Sequence, residues 1–357
     1  MHQAHDGVAL FYHPAFLRHD TGPHPESAER LRGILAALEA RGITEGDLIK
    51  PEAVDPDLLA EIHDLRYVAI IEKVAQKGGG YWDLDTNISP GSYEAAVLAA
   101  GAATGAVDAA MSGARAAFAL VRPPGHHALY DSAMGFCLLN NVSIAAQHAM
   151  SKHGLERVLI VDWDVHHGNG TQDLFYSRPD VLFFSTHQYP FYPGTGAADE
   201  TGEGRGRGYT VNVPLPAGVG DAGYKQVFEE VLVPLAERYK PQIILVSAGY
   251  DAHLADPIGG MAVSVAGFSE LALTVRCLAD NLCGGRVAAV LEGGYNIEAL
   301  ALSVVATIAV LGVEGRASGA GDFDPSNYLA STDRPSPIYA PDITKIISQV
   351  KQIHSLI

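Results

Sequence analysis

RVLIVDWDVHH, residues 157–167, decides how this chain is read. Its apolar half, Arg157 to Val161, is short, rich in β-branched residues and free of polar alternation, as a strand buried on both faces requires. Its second half places Asp162, Asp164 and His166 two residues apart. The same pattern occurs four more times. Arg115 to Val121 runs into Arg122-Pro123-Pro124-Gly125-His126-His127, Val181 to Thr186 into His187, Gln242 to Ala248 into Gly249-Tyr250-Asp251, and Arg286 to Leu291 into Glu292-Gly293-Gly294-Tyr295. Ligands of open, mostly parallel α/β sheets bind in the crevice outside the carboxyl ends of the strands. Five such ends carrying His, Asp and Tyr imply one shared site, suited to a metal and to proton transfer in a hydrolytic reaction.

Between the strand-like runs lie helical patterns. They cover Ser27 to Ala40 (apolar at Leu31, Ile34, Leu35 and Leu38), the Ala-rich Ser92 to Met111, Phe136 to His153 with Gly154 as its stop, Tyr224 to Tyr239, Phe268 to Cys283 and Ile297 to Leu311. Pro234 is expected to bend or start part of its helix. The alternation predicts an α/β fold with a central parallel sheet. No internal repeat or low-complexity linker divides the chain, so residues 1–314 are expected to form one domain. Residues 315–357 begin Pro-, Ser- and Asp-rich and end in a short helical pattern, Ile343 to Ile353, expected to pack on the domain or at an oligomer interface. The glycine-rich stretch Gly194 to Gly208 leads into a strand pattern at Tyr209, whereas a phosphate loop opens a helix. It is read as a rim loop.

The 357 residues hold 41 Asp and Glu against 24 Lys and Arg, a formal net charge of −17. That balance argues against direct binding of duplex nucleic acid, which needs a basic footprint. It can steer cationic substrates inward. The three cysteines, Cys137, Cys277 and Cys283, include no C-x-x-C pair, so neither a disulfide scaffold nor a Cys-ligated zinc site is expected, and a reducing, cytoplasmic setting fits. The first residues lack the basic and apolar regions of a signal peptide. The longest apolar stretch, Ala299 to Val313, is short for a bilayer and reads as a buried helix, so no membrane association is expected.

Side chains of an extended segment alternate faces, so Asp162, Asp164 and His166 can point the same way. Asp and His suit a divalent ion such as Zn²⁺, and Fe²⁺ equally. One segment cannot close a coordination shell, and Asp251 is the natural third ligand from another strand. Two carboxylates would largely cancel the ion's charge, so a separate general base is useful. His126-His127, on the stiff turn after Pro123-Pro124-Gly125, can supply it. Asp162, if not a ligand, can orient one of these histidines and Asn169 the other. A carboxylate partner favours an imidazolium more than an amide does, so His126 is expected to lean cationic and His127 neutral. Tyr295, after two glycines, can offer its hydroxyl to a developing oxyanion.

The strings RPPGHH, GFCLLNN, DWDVHHGNGTQ, FYPGTG, SAGYDAHLADPIGG and LEGGYN, with HPESAERL near the N-terminus, together resemble the histone deacetylase superfamily, in order from about Tyr12 to Val313. The resemblance implies an arginase-like α/β fold with a parallel sheet of about eight strands, and Zn²⁺-dependent removal of acetyl groups from amines, either of acetyl-lysine in a peptide or of an acetylated polyamine. It implies Asp164, His166 and Asp251 as metal ligands, His127 as general base and acid, His126 as its electrostatic partner, Tyr295 as carbonyl polariser, and Asp162 and Asn169 as orienting groups. It makes Phe136 and Tyr192 walls of an acyl-lysine tunnel, Gly135 its floor or side, and Asp85 a rim residue holding substrate backbone. It also implies a K⁺ site at Asp162, Asp164, His166, Ser185 and Thr186. Asn169 in place of the Asp of class I-like members resembles the class II group. Tyr192 replaces a commoner Phe. Ile258 occupies a gate position where polyamine-specific relatives can carry Glu, and so favours acetyl-lysine.

Other readings of the same residues compete. His167 faces away from His166, His187 packs near the K⁺ positions, and His13, His24 and His63 are structural or at the rim. Cys137 as a nucleophile is disfavoured, because free cysteines are usually buried and inert and LLNN reads as a continuing helix. An arginase-like two-Mn hydrolase lacks further ligands for its second ion. A binding module for acetylated ligands would not need every catalytic position filled.

Overall fold

The computed structural model describes residues 7–313 and 340–356. In chain order the strands are β1 (Val8–Phe11), β2 (Gly80–Tyr81), β3 (Asn87–Ile88), β4 (Ala116–Ala119), β5 (Val158–Asp162), β6 (Val181–Gln188), β7 (Thr210–Leu215), β8 (Ile243–Ala248) and β9 (Val287–Leu291). Seven form one sheet in the order β1-β4-β9-β8-β5-β6-β7, parallel throughout. β2 and β3 pair only with each other, antiparallel. The expected eighth strand is reduced to a single bridge between Phe11 and Ile49, with Tyr12 N donating to Ile49 O and Ile49 N to Leu10 O. Pro51 follows two residues later and has no N–H with which to continue a ladder. The five strands with chemically armed ends, β4, β9, β8, β5 and β6, are consecutive in the sheet.

The helices are α1 (Ala28–Glu39), α2 (Pro56–Ala60), α3 (Leu65–Gln76), α4 (Ser92–Met111), α5 (Asn141–Ser151), α6 (Asn169–Phe175), α7 (Asp221–Val227), α8 (Val233–Tyr239), α9 (Val265–Leu282), α10 (Ile297–Gly312) and α11 (Thr344–Ile353). α4 and α5 pack together and against the sheet, and α10 packs with α1 and α9. β4, β5, β8 and β9 are buried at every residue, which is why they read as unbroken apolar runs. α4 is apolar and long enough to cross a bilayer, but 67% of its most apolar window is buried, as in a core helix. α11 buries Ile347 and Val350 and packs against β7, while Lys351 pairs with Glu230 at 2.9 Å. Residues 314–339, most of the expected C-terminal extension, lie outside the described residues.

One helical expectation is corrected. The helix expected from Phe136 starts at Asn141. Gly135 and Phe136 hold left-handed backbone (φ 56° and 69°), which no helix tolerates, and the Asn140 side chain caps α5 by accepting from Ser143 N at 3.0 Å. Leu138-Leu139-Asn140 is therefore a lead-in rather than a continuing helix. Pro234 starts part of its helix, as expected: it stands in the first turn of α8, in a run continuous from Asp221 to Tyr239 with one π-helical turn, Phe228–Leu232, just ahead of the proline. The wider turn accommodates a residue that has no N–H to donate.

Candidate active site

β5 ends at Asp162, level with Ser247 of β8 and Ser185 of β6. Beyond that level the chain makes two tight side-chain turns: Asp162 Oδ1 accepts from Asp164 N at 3.1 Å, and Asp164 Oδ1 from His166 N at 2.9 Å. These turns aim Asp164 and His166 into the crevice, where β8 delivers Asp251. His166 Nδ1 lies 3.0 Å from Asp164 Oδ1 and 3.2 Å from Asp251 Oδ2. One ligand atom from each residue lies within 4.8 Å of the other two, and all three residues are buried. The second carboxylate oxygens are held by backbone: Val165 N donates to Asp251 Oδ1 at 2.8 Å, and Gly293 N to Asp164 Oδ2 at 2.8 Å. A side chain at Gly293 would collide with both carboxylates.

This set fits a divalent cation. Asp251 Oδ2 is buried with no hydrogen-bond partner. Burial and the neighbouring Asp164 charge push the Asp251 carboxyl up to about 7. Burial opposes charge on His166 too, yet the two carboxylates hold its pKa up at about 10. A dication is what two adjacent buried carboxylates and an imidazole lack.

The His126-His127 turn is fixed from below. Glu292 Oε2, at the end of β9, accepts from Gly125 N at 2.7 Å and from His126 N at 3.1 Å. His126 Nδ1 meets Asp162 Oδ2 at 3.0 Å, and His127 Nδ1 meets Asn169 Oδ1 at 2.7 Å. The rings are 4.0 Å apart, but their electrostatics diverge. Burial disfavours a cation on both. For His126 the Asp162 and Asp164 charges prevail and raise its pKa to about 10. For His127 burial is reinforced by repulsion from His126 and His166, and the pKa falls well below the usual value. The outcome is an imidazolium beside a neutral imidazole. Gly135, at φ 56°, lets His127 sit against the backbone, since a Cβ there would overlap the His127 ring.

Tyr295 is set by groups distant in sequence. Asp256 Oδ2 accepts from Tyr295 N at 2.7 Å, while Asp256 Oδ1 accepts from Ile258 N at 2.9 Å, so one buried carboxylate ties two sides of the mouth together. Arg30 donates to the carbonyls of Gly294 and Glu292, and its guanidinium carbon lies 5.0 Å from the Tyr295 ring centroid. Glu26 pairs with both Arg30 (3.1 Å) and Arg122 (2.5 Å). Burial raises the Tyr295 phenol well above its usual pKa, so it remains a donor.

These elements enclose a pocket of about 190 Å³ lined by His126, His127, His166 and Tyr295, and by the expected substrate residues Asp85, Gly135, Phe136, Tyr192 and Ile258. Tyr192 meets His127 edge-on at 5.2 Å, and Phe136 meets Tyr295 edge-on at 6.0 Å. Phe191 also lines the pocket, stacked on His166 at 5.3 Å. Asp85 sits on the β2–β3 hairpin, beside the exposed Leu84. Ser185 and Thr186 are buried on β6, and Thr186 Oγ1 donates to Asp162 O at 3.4 Å. His187 meets Ser185 Oγ at 2.9 Å; His167 turns away to Thr195 and Gln172. Sequence reasoning did not single out Glu292, Asp256, Arg30 or Phe191. All four stood inside quoted motifs, Arg30 in HPESAERL and Phe191 in FYPGTG, and only that adjacency could have flagged them.

A seven-stranded parallel sheet with an Asp₂His cluster, a histidine pair and a tyrosine at its carboxyl edge defines a metal-dependent hydrolase class. A model of the histone deacetylase domain matches residues 24–311. A probable deacetylase of Archaeoglobus fulgidus is 40% identical over 360 residues, covering 98% of each chain. A histone deacetylase-like amidohydrolase of Pseudomonas aeruginosa is 44% identical over 277 residues, 76% of this chain and 73% of that one. A polyamine deacetylase of Homo sapiens is 42% identical over 325 residues, 85% of this chain and 48% of that longer one. Among solved structures, the HD domain of HDA15 superposes with a TM-score of 0.84 at 37% identity, covering 97% of this chain and 95% of that one. The chain belongs to the histone deacetylase family and is a hydrolytic deacetylase.

Proposed function

We propose that the protein is a Zn²⁺-dependent deacetylase of Nε-acetyl-lysine, with Asp164, His166 and Asp251 as metal ligands. The observation that carries this reading is Asp251 Oδ2, buried without a hydrogen bond and 3.2 Å from Nδ1 of His166, which lines the pocket together with His127 and Tyr295. A bound Zn²⁺ supplies Lewis acidity to the amide carbonyl and to the attacking water. Neutral His127, its Nδ1 proton directed at Asn169, presents Nε2 to take a proton from that water. His126, held as an imidazolium by Asp162, favours the negative charge that develops. The Tyr295 hydroxyl donates to the oxyanion of the tetrahedral intermediate. His127 then returns its proton to the leaving amine, so one amide and one water become acetate and free amine.

Phe136 and Tyr192 would flank the aliphatic lysine stem, and Asp85 would accept from substrate backbone. Asp162, Asp164, His166, Ser185 and Thr186 are assigned a K⁺, supported by the buried oxygens that β5 and β6 bring level with one another. The ligand set also suits Fe²⁺.

Chelation of the purified protein should abolish acetate release, and added Zn²⁺ should restore it. Tyr295→Phe should lower kcat about 10²-fold or more with metal content unchanged, and His127→Ala by about 10²–10⁴-fold. Near-normal turnover by either variant on an acetyl-lysine peptide would refute the roles assigned. A second reading, an acetylpolyamine amidohydrolase, is favoured by the polyamine deacetylase relative and by the acidic pair Asp83 and Asp85 at the mouth. Ile258 offers a second ammonium no partner charge, so the peptide should outcompete acetylspermidine in kcat/KM.

A further inference from the structure

We propose that Asp108, His148 and His153 form a second divalent-cation site, for Zn²⁺ or another borderline first-row ion, separate from the reaction pocket. Asp108 lies in the last turn of α4, His148 in the last turn of α5, and His153 just beyond it. The chain folds back sharply there. Lys152 N donates to His148 O at 3.0 Å, Gly154 N donates to Met150 O at 3.0 Å, and Gly154 itself turns the chain at φ 65°. The fold-back carries His153 over the end of α5 toward α4. As a result, Nε2 of His148 lies 2.8 Å and Nε2 of His153 2.7 Å from one oxygen, Asp108 Oδ1. One ligand atom of each residue lies within 4.8 Å of the other two.

Two imidazoles aimed at a single carboxylate oxygen exceed what one salt bridge needs. Their ring centroids lie 5.7 Å apart, so both reach the same oxygen from different sides. A single cation about 2 Å from each of the three atoms would replace both N–H contacts and satisfy all three. Two nitrogens and one oxygen select Zn²⁺, Ni²⁺ or Cu²⁺ over Mg²⁺ and Ca²⁺, with water filling the open position. The negative end of the α5 dipole adds to the attraction. Lys152 occupies only Asp108 Oδ2, at 2.8 Å, and its side chain is 55% exposed, so it can swing into solvent.

The site stands apart from the catalysis. α5 is capped by Asn140, whose side-chain amide donates to Ala128 O beside the reaction pocket. His148 lies eight residues further along, roughly 12 Å by helical rise. The ion would clamp the ends of α4 and α5 and take no part in the reaction.

The test is equilibrium dialysis of the full chain against micromolar free Zn²⁺ at neutral pH, with metal counted by atomic emission. The wild type should hold two ions, and the His148→Ala/His153→Ala variant one, with deacetylase activity within about twofold of wild type. Asp108→Asn keeps an acceptor for both histidines, so its fold should survive. It should bind the second ion about tenfold more weakly or worse, while Lys152→Ala should bind it more tightly. An Asp251→Ala variant should lose activity yet keep the Asp108 ion, which separates this proposal from the catalytic reading. Equal zinc content in the wild type and the folded Asp108→Asn variant, or a second ion taken up as readily as Mg²⁺, would overturn it.

Discussion

At Gly135 one hydrogen atom decides whether His127 can occupy its place. The residue combines a left-handed φ with contact against the imidazole, so neither the backbone nor the space admits a methyl group. Gly135→Ala should therefore displace His127 while leaving the proposed metal ligands Asp164, His166 and Asp251, just beyond the ends of β5 and β8, untouched. A misplacement of about 1 Å costs about 10²-fold in rate. The expected result is a kcat loss of that order with zinc content unchanged, read by steady-state kinetics beside metal analysis; an active Gly135→Ala enzyme would show that His127 has more room than described. Residues of this kind were legible in the sequence when they stood next to a strand end, as Asp164, His166 and Asp251 do. Glu292 and Asp256 act through backbone N–H groups of segments 167 and 39 residues away in sequence. Nothing local in a sequence records such a partner.

At the scale of elements, periodicity read the long helices well and the short or interrupted ones poorly. α4, α9 and α10 each bury much of their surface against neighbours, and composition shows it. The start of α5 was misplaced because apolar Phe136, Leu138 and Leu139 imitate a helical face while Gly135 and Phe136 hold left-handed backbone at the pocket wall. The lost eighth strand has the opposite cause: a proline prevents a ladder that the neighbouring apolar residues would otherwise extend. α11 is held by a small apolar face, Ile347 and Val350, and by the Lys351–Glu230 pair. Ile347→Ala should destabilise the protein by about 2–4 kcal/mol, lowering the urea midpoint without changing kcat. An unchanged midpoint would mean that this helix adds nothing to the folded state.

For the whole molecule, acid sensitivity follows from histidines that take no part in the reaction. His19, His63 and His187 are buried, and burial lowers each to about 4. His63 shows why: its Nε2 accepts from Asn140 N at 2.9 Å, which a protonated ring cannot do. Between pH about 6.5 and 4 the unfolded chain binds protons that the folded chain refuses, so stability falls as pH falls through that window. A depression of this size is worth up to about 3 kcal/mol for each histidine once the pH is below 4. The melting temperature should drop from pH 7.5 to pH 5, and His63→Gln should flatten the slope; a pH-independent melting temperature would contradict the account.

Among the described residues the last strand to be made, β9, is also the one that closes the middle of the sheet, between β4 and β8. Until it arrives, the nascent molecule consists of two half-sheets with raw inner edges, prone to pairing with the wrong neighbour. A product ending at Arg286 should sediment as aggregate and retain no zinc. No enzyme therefore exists before β9 has been made, and cells gain little by salvaging a copy stopped short of it.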